Sequence, residues 1–72
     1  MFLPISKTTL INTNCIKSIE QHYEGDLIKW ADSPTINCSH ECTHDQTVIW
    51  TTNDKPFFSN YSLSEISTML GV

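Results

Sequence analysis

The chain has no arginine, only two glycines, four lysines and no long run of apolar residues. Each shortage excludes something. Proteins that grip duplex or single-stranded nucleic acid use clustered Lys and Arg to displace counterions from phosphate, and Arg makes the commonest specific base contact. Four scattered lysines (Lys7, Lys17, Lys29, Lys55) against eight acidic residues, for a net charge of −4, therefore argue against nucleic acid as a partner. The carboxylates are in turn too dispersed to imitate rows of phosphates. No stretch approaches the roughly 18 apolar residues that span a bilayer, so no membrane partner is expected. The opening Met1-Phe-Leu-Pro-Ile5 is apolar, but Pro4 interrupts it and no basic region precedes it, unlike a signal peptide. Three cysteines without such a leader point to a reducing, cytoplasmic setting, and an odd count fits a disulfide framework poorly.

What is present fits one small domain over residues 1–72. A chain of this length buries only about 60% of its unfolded surface, so the core is small. Hydrophobic residues make up 39%, in short clusters of Ile, Leu and Val with seven aromatics, enough for a sheet packed on a helix. Ser, Thr, Asn and Gln supply a third of the residues, spread evenly as in strands and turns, with no repeat or low-complexity tail.

The local patterns predict an α+β fold, a small antiparallel sheet of four to five strands with one short C-terminal helix. Phe2 to Ile5 reads as a first strand, placed at an edge by Pro4, which cannot donate to a ladder. Thr8 to Ile11 is a second β-rich run, with Ser6-Lys7 between them. Residues 14–24 admit two readings. Cys15, Ile16, Ile19 and Tyr23 share one helical face capped by Asn14 and stopped by Gly25; the same segment also fits one helical turn followed by a strand over Lys17–Tyr23. The isoleucines and the hairpin-like Glu24-Gly25-Asp26 favour the strand. Leu27 to Trp30 is strand-like. From Ala31 to Asp45 aliphatic residues almost vanish and Ser33-Pro34 breaks the chain, which predicts a long loop of the kind that is often functional. Gln46 to Thr52 is the clearest strand, with Asn53-Asp54 as a two-residue turn and Lys55 to Ser59 as its hairpin partner. Ser62-Leu-Ser-Glu65 forms a capping box, Tyr61 and Ile66 are spaced as a hydrophobic staple, Leu63, Ile66 and Leu70 supply a buried stripe, and Gly71 suits the left-handed C-terminal position.

Leu10-Ile-Asn12, Cys15-Ile16, Ile19-Glu20, Val48-Ile-Trp-Thr-Thr-Asn53 and the run from Phe57 to Ile66 form an ordered progression. It resembles the small flagellar and swarming-motility accessory proteins and, more loosely, the strand core of LytTR-type response-regulator domains. That resemblance implies a sheet-plus-helix fold and a motility or regulatory accessory role. It makes the segment between Trp30 and Gln46 an insertion, and it supplies no catalytic residue.

The segment Asn37-Cys-Ser-His-Glu-Cys-Thr-His-Asp45 concentrates two of the three cysteines and two of the three histidines. Cys38, His40, Cys42 and His44 alternate. On an extended strand their ends lie about 20 Å apart and cannot share one ion. In a folded-back loop they offer two thiolates and two imidazoles, a donor set that suits zinc, although the spacing departs from the usual C-x2-4-C pattern. The plainer alternatives are a Cys38–Cys42 disulfide or a solvated loop with a cysteine tucked beneath the sheet. Cys15, beside Ile16, reads as core. A Cys nucleophile can be paired on paper with His22, His40 or His44, yet no motif spaced for catalysis appears. Among the aromatics, strand alternation cannot bury both Phe57 and Phe58 on one face.

These features describe a non-enzymatic protein-binding module without a cofactor. Accessory factors and inhibitors, including those carried by phages and mobile elements, are often compact and acidic in this way. The residues expected to meet a protein partner are Trp30, just before the 31–45 loop, Asp32, Glu41, His44 and Asp45 on it, and Phe57 on the following hairpin. A zinc-stabilised domain using Cys38, His40, Cys42 and His44 is the alternative. An open hairpin edge also offers a route to a homodimer.

Overall fold

The computed structural model describes residues 1–71. Its elements are β1 (Phe2–Pro4), β2 (Leu10–Asn12), a 3-10 turn (Thr13–Cys15), β3 (Ile16–His22), β4 (Leu27–Ala31), β5 (Asn37–Glu41), β6 (Gln46–Thr51), β7 (Pro56–Ser59) and α1 (Leu63–Leu70). The α+β expectation holds, but the single four-to-five-stranded sheet does not. The strands divide into a β1–β2 ribbon, a three-stranded antiparallel sheet in the order β3-β6-β7, and a β4–β5 ribbon.

The division has a specific cause. His22 faces Gln46 at the end of the β3–β6 ladder; five residues further along both strands, Leu27 faces Glu41 at the start of the β4–β5 ladder. The two ladders therefore share one register and form a single long hairpin with its tip at 32–36. Both of its strands are bent together, at 23–26 and at 42–45. Gly25 makes the bend possible, because its φ of 92° lies where a side chain is strained. Asp26 closes it, accepting from the Tyr23 N–H through Oδ2 (2.9 Å) while its own N–H donates to the Tyr23 carbonyl (3.0 Å). Across the bend Gly25 N–H donates to the Cys42 carbonyl (2.8 Å) and Cys42 N–H to the Asp26 carbonyl (2.9 Å), so the strands stay joined as they turn. Glu24-Gly25-Asp26 is thus a turn within one strand of a hairpin and not the tip of one.

The bent arm folds back on the three-stranded sheet. Strand period divides β6 into Val48 and Trp50 on one face and Thr47 and Ile49 on the other. Val48 and Phe58 are covered by Ile28 and Cys42 of the arm, with Trp30 and Trp50 alongside. On the opposite face Ile49 meets Leu3, Ile5 and Ile11 of the N-terminal ribbon and Ile66 of α1, flanked by Ile19, Tyr61, Met69 and Leu70. β6 is therefore buried on both faces, which is why its apolar run is continuous rather than alternating. Burying each such aliphatic side chain contributes about 1.5–3 kcal/mol.

Four local expectations change. The helix-or-strand alternative at 14–24 resolves to one 3-10 turn, capped by Asn12 and not Asn14, followed by β3. Cys15 ends that turn exposed to solvent and is not core. The β6–β7 connection is a three-residue loop closed by Thr51 N–H donating to the Lys55 carbonyl (3.0 Å), with Asp54 taking the left-handed conformation (φ 61°). In α1 the capping box and the Gly71 terminus form as expected, with Glu65 N–H donating to Ser62 Oγ (3.1 Å) and Gly71 at φ 79°. The buried stripe, however, is Ile66, Met69 and Leu70, whereas Leu63 is 41% exposed. Position 63 sits on the first turn, facing away from the sheet and towards a groove. No helix among the described residues is long and apolar enough to cross a membrane.

Candidate partner-binding groove

The predicted 31–45 loop is in fact the hairpin tip, strand β5 and the second half of the bend. β5 carries no strand signal in its sequence, Asn-Cys-Ser-His-Glu, because no aliphatic residue marks the alternation. The alternation is nevertheless there. Cys38 and His40 are half-buried and turn towards the sheet, while Asn37, Ser39 and Glu41 are exposed.

This arrangement keeps the proposed zinc ligands apart. His40 stacks on Phe58 (ring centroids 4.2 Å apart) and its Nε2 donates to Gln46 Oε1 (2.9 Å). His44 lies in the bend, its Nε2 donating to Asn60 Oδ1 (2.9 Å) and its Nδ1 accepting from the Thr43 hydroxyl (3.2 Å). Cys42 is buried between them, and desolvation, followed by the nearby Asp26 charge, pushes its thiol pKa up from the ordinary 9.0. Burial thus favours the protonated thiol, which is neither a ligand nor a nucleophile. Among the described residues no three His, Cys, Asp or Glu side chains come together in a way that would hold a metal, and all three cysteines are free.

The six residues expected at a protein interface also separate. Trp30 is half-buried on the inner side of the arm, its ring centroid 5.9 Å from that of Phe58. Asp32, at the arm tip, pairs with Lys55 (3.7 Å) and ties the tip to the β6–β7 loop. Phe57 is 39% exposed on the edge strand β7, while Phe58 is the half-buried member of the pair. Only Glu41, His44 and Asp45 gather at one place, the bend.

Beside the bend an open groove of about 690 Å³ runs between the hairpin and the start of α1, lined by Gln21, Tyr23, Asp45, Asn60, Leu63 and Glu65 among others. Comparison with protein families, curated proteins and solved structures returns no match. What the groove does must be read from its own chemistry. Its polar groups are fixed in advance. Asp45 Oδ1 accepts from Glu24 N–H (3.1 Å), Asn60 is held by His44, and Glu65 is held in the capping box. Gln21 is held at both ends of its amide. Its Oε1 accepts from Leu63 N–H (3.2 Å) and the Thr47 hydroxyl (3.3 Å), and its Nε2 donates to the His22 and Gln46 carbonyls (each 3.1 Å). Between these groups stand two exposed apolar bodies, Tyr23 (60%) and Leu63 (41%).

Charge is distributed unevenly around this site. Glu20, Glu24, Asp26, Glu41 and Asp45, five of the eight acidic residues, belong to segments 20–26 and 41–45, which contain no lysine. Elsewhere, Lys17 pairs with Asp54 (3.0 Å) and Lys55 with Asp32. Within the acidic group His22 lies between Asp26 (Nδ1 to Oδ2, 3.5 Å) and Glu20 (Nε2 to Oε1, 3.8 Å), and Glu20 also accepts from Trp50 Nε1. Tyr23, Asn60 and Leu63 were missed in the sequence because the groove is made by contacts forty residues apart, such as Gln21 to Leu63. Tyr23 beside a glycine turn was the only local sign.

Proposed function

We propose that this chain is a non-enzymatic protein-binding module, acting as an accessory factor or inhibitor, which takes a basic segment of a partner protein into the groove beside the bend. The observation that carries the reading is the coincidence of exposed Tyr23 and Leu63 with pre-paired polar groups at the acidic end of the molecule. Tyrosine contributes contact area with little rotamer entropy to lose, and its ring face attracts a Lys or Arg side chain. Asp45 and Glu65 flank that position with carboxylates already oriented, so binding orders few new groups. The surrounding acidic residues speed encounter with a cationic partner and disfavour an acidic one.

The test is amide chemical-shift mapping of the labelled protein against a library of Lys- and Arg-rich peptides, with acidic peptides as controls. Basic peptides are expected to shift Tyr23, Asp45 and Leu63. Tyr23→Ala, and Asp45→Asn, which keeps the carbonyl that accepts from Glu24, should each weaken binding several-fold, and added salt should weaken it further. Shifts confined to Phe57 and the β7 edge, or equal binding of the acidic peptides, would sink the proposal.

A further inference from the structure

The N-terminal ribbon presents a different surface. Ile5 N–H donates to the Thr9 carbonyl and Thr13 N–H to the Met1 carbonyl (each 3.0 Å), and Leu3 pairs with Ile11 between them. In an antiparallel ladder the intervening residues direct their N–H and C=O groups away from the partner strand. On β1 those residues are Phe2 and Pro4, and Pro4 has no N–H to give. On β2 they are Leu10 and Asn12, and neither backbone N–H meets an acceptor within the described residues. β2 is therefore the open edge of the ribbon. The side chains alternate in the same way. Leu3 and Ile11 enter the core, while Leu10 (65% exposed) and Phe2 (62% exposed) stand on the outer face, diagonal to one another across the ladder.

We infer that β2 is a dimerisation edge whose occupant is β2 of a second copy of this chain, antiparallel and centred on Leu10. Two observations select a second copy. First, the edge is self-complementary. Centred on Leu10, each copy's Leu10 N–H donates to the Leu10 carbonyl of the other, and the two exposed leucines lie side by side, continued outward by Phe2 of each copy in one apolar row across four strands. Second, charge permits it at this edge. The chain carries a net charge of −4, yet no acidic residue precedes Glu20, and Lys7 is the only charged residue among the first sixteen. Two copies that repel one another through their acidic bends meet no such repulsion along β2. This edge shares no residue with the groove and stands independently of it.

Sedimentation equilibrium and light scattering across a concentration series test the inference. The wild-type chain should approach twice its 8.2 kDa mass and dissociate on dilution. Leu10→Lys, an exposed position at which core packing is untouched, should remain monomeric with its cooperative melt intact. Mixing Leu10→Lys with Leu10→Glu should restore a dimer, because opposite charges then meet across the axis. A wild-type chain that stays monomeric at the highest concentration it tolerates would overturn the inference. So would a Leu10→Lys protein that dimerises as well as the wild type, or a mixture that fails to re-form a dimer.

Discussion

Replacing Ile28 with Ala tests whether the bent arm is held by its packing on the sheet. Ile28 is 3% exposed and forms a buried cluster with Cys42 and Val48. Removing three carbons forfeits about 2.4 kcal/mol of transfer free energy at about 0.8 per CH₂, and the cavity left behind brings such losses into the range of about 2–5 kcal/mol. A chain of 72 residues at about 0.05–0.15 kcal/mol per residue has roughly 4–11 kcal/mol in total, so the substitution removes a large share. The polar ties between arm and sheet do not compensate. The Lys55–Asp32 pair has both side chains about half exposed and is worth roughly 0–1 kcal/mol. Urea denaturation gives the total loss, and amide hydrogen exchange shows where it falls. The Gly25 and Cys42 amides, which bond across the bend, should lose protection before that of Ile49, which lies in the other core. A loss below about 1 kcal/mol, with the bend amides as protected as before, would mean that the arm does not rest on the sheet and that the two-core description is wrong.

Two other perturbations address the bend itself. Gly25→Ala places a Cβ in open space, so its cost is purely conformational, about 1–2 kcal/mol for the left-handed backbone, while D-Ala at the same position should be neutral or stabilising; urea midpoints distinguish the two. Cys42 gives a pH signature. Its thiol ionises later in the folded than in the unfolded chain, so the stability it contributes is complete below 9.0 and lost as the pH rises through its higher folded value. The wild type should therefore lose more melting temperature above pH 9.0 than Cys42→Val does, and equal alkaline slopes would remove the assignment.

What was legible in the sequence was whatever depends on neighbours along the chain. The α1 capping box, the Gly71 terminus and strand β6 come from residues within a few positions of each other, and they stand where expected. β3 is legible from its isoleucines at 16 and 19, which suit a sheet better than an exposed helix, and not from Glu24-Gly25-Asp26, which is no hairpin tip. β5 is not legible because Cys38 and His40 serve as its inward residues in place of aliphatics, and His40 does so by stacking on Phe58, eighteen residues away. The same non-local packing scattered the expected interface. Trp30 went inward to Phe58 and Asp32 to Lys55, leaving only Glu41, His44 and Asp45 together. The groove itself needed α1 to return beside β3, which no local pattern announces.

The shared register of the two ladders also bears on how the chain finds its structure. Ala31 and Asn37 need to close only a short turn, stabilised by reciprocal Ser33 and Ile36 backbone bonds. Every later pair, out to Ser18 and Trp50, extends an already closed hairpin by one step, and a register shift then sets Ile16 against Thr51. The entropy of joining residues 16 and 51 is thus spread over many small closures rather than met at once. A two-stranded ribbon alone is marginal in water, and the bend supplies the packing of Ile28 on Val48 that a straight ribbon would lack. The bend therefore does more than redirect the chain: it turns the two halves of one ribbon into two packed layers, while the other face of the sheet is left for β1, β2 and α1.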